Sequence, residues 1–161
     1  MEPPIIAAIV TASISTFVAL LVFAGTQILA IKRDYSALHK QKLELLYRSL
    51  QTLKMEANVA KYSLEPSDAN LKVIAQKFGF AMDEYLSQID ILTELYFTCL
   101  RPKVEGVRSA TAEYHSLCDK HADGEDLTKQ LSQAKKNLEK KITDLQSYLQ
   151  NNVTLLTKSY C

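Results

Sequence analysis

Hydrophobic and polar positions follow two different patterns along this chain. From Ile5 to Ile31 no charged residue interrupts the apolar run, and a helix of that length reaches about 40 Å at roughly 1.5 Å per residue, enough to cross a bilayer with tilt. Beyond it the period changes. Leu43, Leu46, Leu50, Leu53, Ala57, Ala60 and Leu64 step alternately by three and four, the seam of a heptad repeat, with Lys54, Glu56 and Lys61 off it. The pattern therefore predicts a transmembrane helix over 5–31 and a long helix over about 33–64.

Pro66 stops that second helix, because proline lacks a backbone donor and restricts Glu65 before it, and Ser67 or Asp68 can cap the next one. Leu71, Ile74, Phe78, Ala81, Tyr85, Ile89, Leu92, Tyr96 and Cys99 carry a helix over about 67–100, locally weakened by Gly79. Pro102 can open a shorter helix over about 102–121 with Val104, Val107, Thr111, Tyr114 and Cys118 on its apolar edge. Gly124 then ends it. A last helix over about 125–160 runs through Leu127, Leu131, Ala134, Leu138, Ile142, Leu145, Leu149, Val153 and Leu156, with Glu125 and Asp126 at its positive end.

Short connections reverse neighbouring helices, so the fold class is all-α: one N-terminal transmembrane helix followed by an elongated antiparallel bundle of three to four coiled-coil-like helices. Two topologies satisfy the pattern. In one, all four helices reverse in turn and the last runs back toward the bilayer, bringing Lys158 and Tyr160 to the headgroups. In the other, the helices on both sides of Pro102 form one kinked rod, and the C-terminus points away.

Composition supports the class. Four Gly, four Pro and no Trp leave little of the punctuation that strands and turns require. Without the apolar terminus about 130 residues remain, the size of one domain over 32–161. A net charge of +1 from 19 basic and 18 acidic residues, interspersed, disfavours nucleic acid as a partner. Cys99, Cys118 and Cys161 have no disulfide or zinc spacing and are expected as free thiols in a reducing compartment.

Charge also orients the span. Lys32 and Arg33 follow it directly, Lys40, Lys42 and Arg48 come after, and no Lys or Arg precedes it, which places residues 1–4 outside and the large domain in the cytoplasm. A cleaved signal peptide needs a positive n-region, and "MEPP" carries an acid instead. Within the span, Ala7, Thr11, Ser15 and Ala19 recur every fourth position beside Ala8, Ala12 and Thr16, a small-residue face on which a second span can approach closely. The competing account is a monomeric span whose hydroxyls bond back to their own helix.

Chemistry-bearing residues are few. His115, Cys118, Asp119 and His121 are the weak metal candidates, with His115 and Asp119 at i,i+4, but His115 and His121 are out of alignment and the segment reads as a solvated helix end. No Glu-x-x-His, phosphate-binding loop or nucleophile motif occurs, so neither catalysis nor a cofactor is expected. Lys129, Lys135, Lys136, Lys140 and Lys141 make the last helix basic, interleaved with Glu125, Glu139 and Asp144 as on a solvated face. Tyr47, Tyr62, Tyr85, Tyr96, Tyr114 and Tyr148 suit a core edge more than a binding surface.

Nothing in the pattern resembles a known family at the level of residues. The leading expectation is a membrane-tethered interaction module, a scaffold or sensor subunit that binds an unidentified protein partner or a second copy. The alternative is a membrane-acting effector whose span oligomerises and permeabilises the bilayer. An enzyme built on the His/Cys/Asp segment comes third.

Overall fold

The computed structural model describes residues 3–63 and 71–158, with side chains over 15–60 and 72–157. Every element among the described residues is helical: α1 (Pro3–Ser63), α2 (Leu71–Tyr96), a 3-10 turn (Thr98–Leu100), α3 (Arg101–Ala122), α4 (Thr128–Asn151) and α5 (Val153–Lys158). The chain forms two compact units, one ending at Leu38 and the other beginning at His39. The separate helices expected over 5–31 and 33–64 are one helix, since no Pro or Gly lies between Thr26 and Ser63 to break it.

The second unit is an all-α antiparallel bundle built around the expected seam. Leu46, Leu50, Leu53, Ala57 and Ala60 are fully buried, and Leu43 nearly so. Leu64 and the break at 65–70 lie outside the described residues. Cross-helix bonds set the register: Ser49 Oγ donates to Gln88 Oε1 at 2.7 Å, Lys54 Nζ to Thr143 Oγ1 at 3.1 Å, and Gln150 Nε2 to the Tyr47 hydroxyl at 3.1 Å. Arg108 pairs with Asp90 at 2.6 Å and Lys72 with Asp123 at 2.7 Å, so α3 runs antiparallel to α2. This excludes the kinked rod around Pro102. Phe97 and Leu100, both fully buried, anchor the reversal between these helices.

In α2 the buried line is Ala75, Met82, Leu86, Ile89 and Leu92, with Gly79 also buried. That line is rotated one position from the expected one over its first half. Phe78, Tyr85 and Tyr96 flank the core half-buried, because a helix with neighbours on two sides buries a wider face than a two-helix seam does. Cys99 is exposed.

The apolar edge expected for α3 is buried throughout, from Val104 to Cys118. Gly124, at φ 106°, ends that helix in a conformation that side-chain-bearing residues rarely adopt. The final helix starts later than expected and is broken. Asp126 Oδ1 accepts from the Thr128 hydroxyl at 3.0 Å and holds the start, and at the far end Asn152 Nδ2 donates to the Tyr148 carbonyl at 2.8 Å. Asn at the break competes with the helix through its own side chain, which the absence of Pro and Gly did not reveal. Past Asn152 the buried line keeps its heptad step from Leu149 to Leu156, which leaves Val153 exposed.

The tyrosines finish the core. Tyr114 is buried, its hydroxyl donating to the Ala57 carbonyl at 3.0 Å, and Tyr47, Tyr85, Tyr96 and Tyr148 pack half-buried against the same cluster. The side chain of Tyr62 lies outside the described residues. Lys103 sits 4.4 Å over the Tyr148 ring and Lys42 5.5 Å over Tyr96.

Beside Tyr114, burial pushes the Cys118 thiol up to about 12 and raises the Tyr114 phenol as well. The folded state thus keeps protons that the unfolded chain releases. Stability is fully present below the ordinary thiol value of 9.0 and is lost as pH rises toward about 12. The slope is at most about 1.4 kcal/mol per pH unit for each group. Urea midpoints should fall between about pH 8 and pH 11, and Cys118→Ala should flatten the slope. Equal slopes in parent and variant would remove the thiol from this account.

Candidate functional site

In the first unit, the described part of the apolar run has no protein around it. Phe17, Val18, Leu20, Leu21, Val22 and Phe23 are each more than half exposed, as are Ile28, Leu29 and Ile31. Of the described residues, this helix alone is long and apolar enough to cross a membrane, with mean hydropathy 1.7 over its best window and none of that window buried. Ser15, Thr16 and Ala19 are exposed, whereas the side chains of Ala7, Ala8, Thr11 and Ala12 lie outside the described residues. Thr26 Oγ1 donates to the Phe23 carbonyl at 2.8 Å, so this hydroxyl is satisfied within its own helix. At the flank Lys32 is exposed, and Arg33 stands 3.8 Å from Asp34.

In the second unit, α3 disperses the residues of the His/Cys/Asp segment. Cys118 points into the core at 1% exposure, and His121 donates from Nδ1 to the Glu125 carbonyl at 2.8 Å beside the turn. His115 faces α2, with Nε2 3.7 Å from Asp119 Oδ2. Among the described residues no three such ligands come together to hold a metal ion. Packing separates them: Cys118 is taken into the core, His115 lies against Gly79 of α2, and His121 is held at the turn by the Glu125 carbonyl. Cys99 is disulfide-bonded, a correction to the expected free thiol, and Cys118 is the free cysteine among the described residues.

Gly79 is the residue that sequence reading undervalued. A Cβ built there would lie 2.2 Å from His115 Nε2 and 2.6 Å from Cε1, so the imidazole is seated in a notch that only glycine leaves open. The notch opens on a cleft of about 460 Å³ lined by Lys72, Asp83, His115, Asp119 and Asp123, and His115 also borders a neighbouring cleft of about 690 Å³ between α2 and α3 that reaches Asp90 and Arg108. The Asp123 carboxylate, hydrogen-bonded to Lys72, raises that ammonium above its ordinary value, and Asp90 does the same for Arg108.

The notch yields a double-mutant test. Gly79→Ala alone should gain little, because the helix-propensity benefit of about 1 kcal/mol is offset by displacement of the ring. In a His115→Ala background the same change should recover that gain of about 1 kcal/mol. Equal effects in both backgrounds, read from thermal melts, would show that the ring is not wedged there. No protein-family model, no curated protein and no solved structure matches this chain.

Proposed function

We propose that this chain is a membrane-tethered helical interaction module, in which the apolar part of α1 crosses the bilayer and the unit beginning at His39 binds a protein partner. The observation that carries this reading is the uncovered apolar surface from Phe17 to Ile31, set against a bundle whose core closes without it. Each large apolar side chain left in water forgoes about 1.5–3 kcal/mol of burial, so such a run calls for lipid. The reading has no catalytic step; in the α2–α3 cleft Asp123 is paired with Lys72 and Asp90 with Arg108. An alkaline carbonate wash of isolated membranes is the direct test. Retention of the full chain is expected, and release of the protein into the wash would overturn the tether.

Orientation draws support in two directions. Lys32 and Arg33 after the span favour an outside N-terminus and a cytoplasmic bundle. The disulfide at Cys99 favours the reverse, because disulfides persist in oxidising compartments. We place the bundle in the cytoplasm on the strength of the basic flank. A cysteine introduced at Glu2 should then react with an impermeant thiol reagent on intact cells, and protection of that site reverses the assignment.

The exposed Ser15, Thr16 and Ala19 support a second reading, a membrane-acting effector whose spans associate. It requires dye or ion leakage on overexpression, lost in Ser15→Leu. The tether requires no leakage, and tolerates replacement of residues 5–31 by an unrelated apolar helix.

A further inference from the structure

Cys99 stands exposed on the 3-10 turn between α2 and α3 and is disulfide-bonded. The chain has three cysteines, and Cys118 is a free thiol, 1% exposed in the core. Within one chain this leaves Cys161, which lies outside the described residues and is assigned by elimination. The packing agrees with that pairing. Lys103, near the start of α3, sits 4.4 Å over the Tyr148 ring, so the last turn of α4 and the α2–α3 turn share one end of the bundle. Leu156 of α5 is buried in the same apolar cluster as Phe97 and Leu100, and Cys161 follows Lys158 by three positions, a reach of about 10 Å. At this end the unit also begins: His39 packs edge-on against Tyr96 and Phe97, with ring centroids 5.9 Å and 6.0 Å away.

We propose that Cys99 and Cys161 form a reversible clasp, which fastens α5 to the α2–α3 turn when oxidised and releases it when reduced. A helix of six residues does not persist alone, so the docking of α5 depends on Leu156 and on what holds its far end. A small disulfide such as that of glutathione balances the oxidation. One cysteine thiolate attacks it and expels one half, the second cysteine displaces the other half from the mixed disulfide, and the two halves leave as thiols carrying the two electrons and two protons of the pair. Reduction by a small thiol runs the same steps backwards. Cys118 takes no part, because burial hides its sulfur and pushes its thiol up to about 12. Disulfides in the cytosol are transient and redox-sensing, so a bond that opens suits a cytoplasmic bundle. In that respect the proposal rests on the orientation read from Lys32 and Arg33.

The test begins in cells expressing the full chain, before and after exposure to diamide, an oxidant that converts small thiols to disulfides. Free thiols are blocked with N-ethylmaleimide under acid quench, and the protein is digested without reductant for mass spectrometry. Peptides of Cys99 and Cys161 should be blocked separately in untreated cells and joined to each other after diamide, with Cys118 unbonded throughout. On the purified chain in detergent, backbone amides over 153–157 should exchange hydrogen at least several-fold faster after reduction, and Cys161→Ser should exchange at the reduced rate in either state. Cys99 joined only to glutathione or to a second copy, or equal exchange in the oxidised and reduced parent, would each overturn the clasp. A bond already complete in untreated cells would overturn its reversibility, and reagent access to the cysteine introduced at Glu2 then shows whether the orientation falls with it.

Discussion

Leu50→Asp is expected to abolish cooperative unfolding of the bundle. Leu50 is fully buried on the inner line of α1, with Leu46 and Leu53 one turn away on either side and equally inaccessible. A carboxylate there has no cation within the apolar cluster, so it either stays charged at prohibitive cost or takes up a proton and remains a misfit. The penalty is several kcal/mol, against a total stability of about 5–15 kcal/mol for a domain of ordinary size. Thermal melts of full-length parent and variant in detergent, followed by near-ultraviolet circular dichroism, should show a sharp transition only in the parent. A parent-like melt in the variant would mean that this face of α1 is not the core.

Tyr114→Ala should be nearly as damaging, and its comparison with Tyr114→Phe separates two contributions. The ring is about 1% exposed and its hydroxyl donates to the Ala57 carbonyl at 3.0 Å, tying α3 to α1. Truncation to Ala empties an aromatic site, at a cost of about 3–5 kcal/mol. Removal of the hydroxyl alone costs about 1 kcal/mol, because it leaves the carbonyl short of one partner while the packing persists. Denaturant midpoints should therefore rank parent, Phe and Ala, with the larger interval between Phe and Ala. If Phe is as destabilising as Ala, the hydrogen bond and not the ring is what joins α1 to α3.

Where the hydrophobic period was regular and its residues large, reading the chain was enough. Leu43 through Ala60 on α1 and Leu131 through Leu149 on α4 are buried as their three-and-four spacing requires, because leucine at that spacing leaves a helix only one face to hide. The same holds for the stop at Gly124, where the backbone conformation itself selects the residue.

Small residues carried a weaker signal. Ala75 and Gly79 contribute little to any apolar pattern, yet both are buried, Gly79 against the His115 ring of α3, and their burial is a property of the neighbours that arrive there. The break at Asn152 escaped notice for a related reason, since an Asn side chain can either stay in solvent or turn back to a carbonyl, and local spacing does not say which.

The candidate sites divide along the same line. The apolar run up to Ile31 and its basic flank are visible in one dimension, because a span depends on length and composition alone. The dispersal of His115, Cys118 and His121 into a notch, a core and a turn depends on which side of α3 faces α2, as does the side of α2 left to expose Phe80 and Glu84. A short amphipathic helix is compatible with several rotations about its axis, and only packing against real neighbours, with their volumes and charges, selects one of them.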